Sequence, residues 1–175
     1  YLARLANPLV VPELSQFNVE LNGTPQPLAR RALRLLEDEL TDTWRNCVHV
    51  AHELEGQLIM IGILPTIRER DLTLKNISPL NRYYALNSQV LNSRGGRPIK
   101  LEIDGRQRLS LTHADVMLEA ATTSFQVHLQ APASEMARYF NASPILSAPM
   151  VALSANSPFL FERHLWDETR IPLFE

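Results

Sequence analysis

Residues 123–131, T-S-F-Q-V-H-L-Q-A, alternate without a break: Phe125, Val127 and Leu129 in one register, Ser124, Gln126, His128 and Gln130 in the other. Side chains of a strand point to opposite faces with a period of two, so this pattern predicts one apolar face and one hydrogen-bonding face. A solvated sheet face ordinarily carries Lys, Glu, Thr or Arg. This one carries two amides, a hydroxyl and an imidazole, groups suited to orienting a ligand; a merely wet strand face is the competing reading. Residues 16–22 repeat the pattern, with Phe17, Val19 and Leu21 set against Gln16, Asn18, Glu20 and Asn22. If the two strands share a sheet, Glu20 and His128 can lie on the same side of it.

The remaining elements follow from periodicity. Residues 1–12 read as a short apolar lead-in, and Asn22-Gly23 marks a turn. Thr24-Pro25-Gln26-Pro27 has the form of a helix start, and Leu28, Ala32, Leu36, Leu40, Trp44, Val48 and Ala51 continue it as an amphipathic helix ending near Gly56. L-I-M-I-G-I-L at 58–64 is apolar on both faces and reads as a central buried strand. A charged loop is expected over 68–78, a helix over 80–91, and a turn at Arg94-Gly95-Gly96. Residues 99–103 form a strand turning at Asp104-Gly105 into 109–111. A short helix spans 114–121, and residues 133–155 are mostly helical, with Pro144 and Pro149 expected to kink or break them. Helices and alternating strands without a strict βαβ rhythm give an α+β fold, with helices on one side of a sheet and a polar face open on the other. No linker or repeat divides residues 1–175, which read as a single domain.

Composition excludes several classes. A net charge of -2 gives no electrostatic case for nucleic acid. No apolar run approaches the roughly 20 residues needed to cross a bilayer, and no signal peptide opens the sequence, so a cytoplasmic protein off the membrane is expected. The lone Cys47 rules out an internal disulfide and fits a reducing compartment; at mid-helix beside the apolar stripe it reads as core. His49, His52 and Glu53 read as solvated surface. Phosphate-loop, dinucleotide, nucleophile-elbow and zinc motifs are missing. Lys75 and Lys100 are the only lysines among 17 basic residues, a bias toward the planar arginine fork that suits oxyanions, or one set by genome composition.

The residues with chemistry to offer are acids, amides, a histidine and arginines. Glu13 and Glu20 flank the first alternating strand, and Glu20 on a polar face suits a hard cation such as Mg²⁺. Asn156-Ser157-Pro158-Phe159 and Trp166-Asp167-Glu168-Thr169-Arg170 set polar groups among aromatics. Arg170 there can clamp a phosphate or carboxylate, or pair with Asp167 or Glu168.

Taken in order, E-L-S-Q-F-N-V-E-L-N at 13–22, G-I-L-P-T at 62–66, S-F-Q-V-H-L-Q at 124–130, A-L-S-A-N-S-P-F at 152–159 and W-D-E-T-R at 166–170 resemble the bacterial glutamate–cysteine ligases of the second type. These are carboxylate–amine ligases related in fold to glutamine synthetase. The resemblance covers nearly the whole chain. It implies a curved, mainly antiparallel sheet with helices packed on one face and a funnel-shaped active site on the other, residues 1–175 forming part of a larger catalytic domain. It also implies an ATP-dependent reaction on the glutathione pathway: the glutamate side-chain carboxylate is phosphorylated, and the amine of cysteine attacks the acyl phosphate. By position, Glu20 and Glu13 would carry Mg²⁺. His128, Gln126, Asn156 and Arg170 would meet the nucleotide, with Arg170 and His128 nearest the chemistry. Glu162 stands where the family's pattern leads one to expect glycine, and Thr122 where relatives more often carry Asn. A non-catalytic nucleotide- or amino-acid-binding domain, or a ligase using another acceptor amine, are the alternatives; a homo-oligomer is open.

Overall fold

V-M-L-E-A-A, six residues with one charge, forms the most deeply buried stretch of the protein. In the computed structural model, which describes residues 1–174, Val116–Ala121 is a 3₁₀ helix with Val116, Met117 and Leu118 sealed from solvent. Asp115 caps it by accepting the Met117 N–H at 2.9 Å, and the Asn87 side chain accepts that of Val116 at 3.1 Å. The principal core forms around it, from Ile63, Leu72, Ile77, Ile103 and Leu165 among others.

In chain order the elements are α1 (Leu2–Leu5), β1 (Val10–Pro12), β2 (Val19–Leu21), α2 (Ala32–Glu53), α3 (Asn81–Ser93), β3 (Ile99–Asp104), β4 (Arg108–His113), α4 (Met136–Ser154), β5 (Phe159–Leu160), β6 (Arg163–His164) and α5 (Arg170–Phe174), with short 3₁₀ turns between them. Helices mixed with antiparallel strands bear out the α+β class. Among the described residues the strands form three separate antiparallel pairs, β1–β2, β3–β4 and β5–β6, rather than one curved sheet. The predicted hairpin is present, pairing Ile99 with His113 through Asp104 with Arg108 and keeping Lys100 and Glu102 outward. Its loop docks on the segment after β6: Gly105 lies so close to the Leu165 backbone that a Cβ there would sit 2.7 Å from the Leu165 carbonyl carbon.

A second, smaller core joins α1, β1 and α2 through Leu5, Val10, Cys47 and Val50. Cys47 is fully buried, as expected, and its carbonyl accepts the Tyr1 hydroxyl at 3.1 Å. Helix α2 starts later than predicted. Arg30 has φ +52 and the Thr24 hydroxyl donates to Glu39 at 2.6 Å, so the proline-rich stretch lies alongside α2 instead of opening it. Its buried residues are Ala32, Thr43, Cys47, Val50 and Ala51: Ala32 and Ala51 belong to the predicted stripe, while Thr43 and Cys47 are buried in place of Trp44 and Val48, one residue out of phase. The two cores are stitched by a Ser15–Ile77 bridge, by the Ser78 hydroxyl donating to the Glu13 carbonyl, and by the Asn18 amide donating to Ala120 at 2.9 Å.

Three expected strands need correction. Residues 16–22 form a strand only over Val19–Leu21. Residues 58–64 and 123–131 meet only at their feet, where Ile63 bridges Thr122 and the Thr123 N–H donates to Gly62 at 2.8 Å. Beyond that contact neither belongs to a strand, and Phe125 and Val127 are each 78% exposed. Alternation decides which way side chains point; a strand also needs a neighbour for its N–H and C=O groups, and among the described residues none lies beside these segments. Helix α4 forms as expected and is assigned as continuous through Pro144 and Pro149. It is exposed along its whole length.

The β5–β6 connection explains the departure at Glu162. Leu160 pairs with Arg163, leaving Phe161 and Glu162 as a two-residue loop with φ of +49 and +63, where both central residues must be left-handed. A non-glycine residue in that region costs about 1–2 kcal/mol, against about 0.5–1 kcal/mol for glycine's extra freedom when unfolded. The 3.9 Å contact of Glu162 with Arg68 is exposed and contributes little. Glu162→Gly is therefore expected to stabilise by about 0.5 kcal/mol and raise the melting temperature by about 1–2 °C in a thermal denaturation scan; a lower melting temperature would contradict this account of the turn.

Candidate functional site

Gly62 is the floor on which the distant motifs meet. A Cβ at that position would overlap Asn156 Oδ1 and lie 3.0 and 3.1 Å from Arg170 Cζ and Nε. The absence of a side chain thus lets the Asn156 amide and the Arg170 guanidinium lie directly over the backbone. Asn156 follows α4, Arg170 opens α5, and the two segments are strapped by a parallel bridge from Ser157 to Glu168 and by the Thr169 N–H donating to Ser157 at 3.1 Å.

The guanidinium is held in a fixed orientation. Nε donates to Glu168 Oε1 at 2.6 Å, Nη2 donates to Oε2, and Nη1 donates to the Thr123 carbonyl at 2.7 Å. A planar fork gripping both oxygens of one carboxylate is the geometry at which arginine binds most tightly. The Glu168 side chain is nearly buried at 8% exposure and takes a third bond from the Ser157 hydroxyl. Burial pushes the Glu168 carboxyl up, but hydrogen bonds from Arg170 and Ser157 outweigh it and hold the group below its ordinary value. The same pairing raises that of Arg170. The second of the sequence readings of Arg170, a pair with Glu168, is thus formed.

The two carboxylates form a separate group. Glu20 lies on β2 opposite Val11, and Glu13 follows β1 directly. Both act on Tyr83, whose hydroxyl donates to the Pro12 carbonyl at 3.0 Å. Burial first, then the charge of Glu13, push this phenol up against the opposing pull of Arg82, and Glu20 adds to the rise. Arg82 stacks 4.6 Å over the Tyr83 ring and donates to its hydroxyl at 2.7 Å. Among the described residues neither Glu13 nor Glu20 forms an ion pair, and no cluster of three or more His, Cys, Asp or Glu is placed to hold a metal.

Gln126 and His128 make a third group, 3.2 Å apart and exposed on the segment beyond Thr123. The structure therefore brings Asn156 to Arg170 and Gln126 to His128, and sets Glu13 and Glu20 near the same Tyr83 hydroxyl; among the described residues no hydrogen bond or ion pair joins one of these groups to another. Two open depressions of about 580 and 600 Å³ lie elsewhere, one beside Arg94, Arg97 and Lys100, the other beside His113 and Asp115. Sequence reasoning missed Tyr83 and the role of Gly62. A glycine interrupting an apolar run signals a close backbone approach and could have flagged Gly62.

A protein-family model described as "Glutamate-cysteine ligase family 2(GCS2)" matches residues 2–175. No curated protein and no solved structure gives a match. No helix among the described residues is long and apolar enough to cross a membrane.

Two variants check this geometry. Gly62→Ala should drive Asn156 and Arg170 off the backbone and cost about 1–3 kcal/mol in urea unfolding; a neutral result would show that the approach is not close. Glu168→Gln leaves Arg170 without its counter-charge and should cost on the order of 3 kcal/mol at neutral pH. A folded-state carboxyl held low stabilises above its unfolded value, near 4.5, and loses that contribution as pH falls through the lower folded value. The parent chain should therefore lose stability below about pH 4.5, and the Gln variant should show a shallower acid limb; parallel acid limbs would contradict the assignment.

Proposed function

The chain belongs to glutamate–cysteine ligase family 2, and from that premise we propose that it is catalytic-core sequence of an ATP- and Mg²⁺-dependent carboxylate–amine ligase that joins an amine to the side-chain carboxylate of glutamate. The observation that carries this reading is the convergence of Asn156 and Arg170 over Gly62, which lies about a hundred residues before them in sequence. Acyl-phosphate chemistry asks a protein mainly to position reactants and neutralise oxyanions. A fixed guanidinium and a primary amide above bare backbone suit that task.

Each group then has a role. Arg170, with two of its five N–H groups not engaged by Glu168 or Thr123, receives a phosphate or the amino-acid carboxylate. Asn156, Gln126 and His128 hydrogen-bond the nucleotide. Glu13 and Glu20 are carboxylates without ion-pair partners, a donor set that fits Mg²⁺, which accepts one or two carboxylates and fills its remaining positions with water and phosphate oxygens. The bound ion would supply charge neutralisation on the nucleotide phosphates. Nothing in these residues reads a thiol, so the acceptor is cysteine or another small amine.

A second reading rests on one specific observation. Glu168 already neutralises Arg170, which favours a domain that binds nucleotide or amino acid without turning it over. Phosphate release from ATP and Mg²⁺, with and without glutamate and a panel of amines, separates the readings. Release requiring glutamate and cysteine supports the cysteine ligase, release with a different amine a relative of it, and saturable nucleotide binding without release the binding domain. Glu20→Ala and His128→Ala alter exposed side chains and should leave the fold intact. The first is expected to abolish Mg²⁺-dependent nucleotide binding and the second to weaken nucleotide binding at least tenfold, measured by titration calorimetry. Unchanged affinities would remove both residues from the site.

A further inference from the structure

Tyr83 is a buried side chain that the proposed chemistry leaves without a task. It belongs to the principal core at 8% exposure, yet its hydroxyl reaches out of that core to the end of β1. Pro12, the last residue of β1, pairs with Val19 but has no N–H to give the ladder. Its carbonyl is held from outside the strand pair instead, by the Tyr83 hydroxyl at 3.0 Å and by Arg82 Nη2 at 3.1 Å. The next carbonyl, that of Glu13, accepts the Ser78 hydroxyl. Glu20 stands opposite Val11, and Glu13 lies two residues beyond Val11. The separation of the two carboxylates therefore follows from where this strand end is pinned.

A guanidinium beside carboxylates that lack ion-pair partners ordinarily pairs with one of them. Arg82 is bonded to Pro12, the neighbour of Glu13, and does not. Its Nη2 donates to two neutral acceptors, the Pro12 carbonyl and, at 2.7 Å, the Tyr83 oxygen, while its Cζ lies 4.6 Å over the Tyr83 ring. Among the described residues it forms no ion pair. Stacking on an aromatic face and bonding to the same residue hold a flexible cation in one place. Both carboxylates are near enough to act on that hydroxyl: burial raises the Tyr83 phenol most, and the charges of Glu13 and Glu20 add to the rise against the pull of Arg82. One oxygen of Glu13 accepts the Leu14 N–H at 2.7 Å, which leaves the other for a ligand.

We propose that Tyr83 is a positioning residue for the carboxylates assigned to Mg²⁺. Its hydroxyl fixes the strand end that carries Glu13, and its ring and oxygen hold Arg82 on neutral acceptors, away from Glu13 and Glu20. The inference rests on the assignment of those two residues to the metal and names what keeps them placed and open. Mg²⁺ tolerates little departure from its preferred geometry and gives up water reluctantly, so a carboxylate displaced or already paired with a guanidinium is a poor ligand for it.

Mn²⁺ takes the same carboxylate and water donors, and its binding is read from the loss of the free-ion paramagnetic resonance signal. Titration of the chain with Mn²⁺ alone, without nucleotide, should show saturable binding that Glu20→Ala removes. Tyr83→Phe strips the hydroxyl and keeps the ring; it should weaken Mn²⁺ binding about tenfold, as loss of an outer partner of a metal ligand commonly does. Adding Arg82→Met to Tyr83→Phe removes the released cation and should restore most of the lost affinity, a rescue that damaged packing does not give. Tyr1→Phe loses a comparable hydroxyl bond, to Cys47 in the smaller core, and should lower the urea midpoint without changing Mn²⁺ affinity. Parent-like affinity in Tyr83→Phe, a loss that Arg82→Met does not relieve, or an equal loss in Tyr1→Phe would each overturn the proposal and leave the metal assignment in place. A parent chain that binds no Mn²⁺, or binds it no better than Glu20→Ala, would overturn that assignment and this proposal with it.

Discussion

Glu168 is a nearly buried carboxylate whose position decides where four separate stretches of chain can lie. Through Arg170 it reaches the Thr123 carbonyl, and through Ser157 it fixes the segment leaving α4. Thr123 in turn is bonded to Gly62 and Ile61. Isolated surface ion pairs contribute little, but this one is shielded, bidentate and joined to further donors. Removing either partner leaves a charge in poor solvent, so the knot is held as much by the cost of opening it as by its own attraction. The glycine beneath it is the steric counterpart: without a bare backbone at residue 62 the guanidinium could not reach the position from which it binds both.

Around that knot the protein is unevenly built. The 3₁₀ segment Val116–Ala121 and the side chains gathered on it form a dense body, and the α1–β1–α2 core is attached to it by a few directional bonds from Asn18, Ser78 and Tyr83. The carboxylates Glu13 and Glu20 lie along this second seam. The seam and the Arg170 knot share the same 3₁₀ segment: Asn18 grips Ala120, and Thr122, two residues on, begins the contact with Ile63. The metal-ligand candidates and the oxyanion-binding candidates are thus tied to the same C-terminal end of one buried element.

What the sequence disclosed depended on the range of the forces involved. The β3–β4 hairpin, α3, α4, the Gly95-Gly96 turn and the burial of Cys47 were legible because local periodicity and turn chemistry determine them. The motif resemblance identified the family. Strands at 58–64 and 123–131 were misread because alternation encodes facing and says nothing of the neighbour that completes a ladder. Helix α2 was started too early because the proline signal at Thr24–Pro27 is local, whereas the Thr24–Glu39 bonds that hold that stretch aside are not. In the site, Asn156 and Arg170 were recognisable by type. Their orientation was not, since it comes from a carboxylate two residues away and a glycine about a hundred residues away in sequence.

The prolines of α4 carry one more implication. Pro144 and Pro149 have no N–H to offer the carbonyls of Phe140 and Ile145, so the helix has two weakened turns, five residues apart, in a rod that is apolar on every side. Stiffness and stickiness are therefore distributed differently: the surface is uniform, while the backbone yields at two fixed places. A rod of that kind can bend at Pro144 and Pro149 without changing what its surface offers.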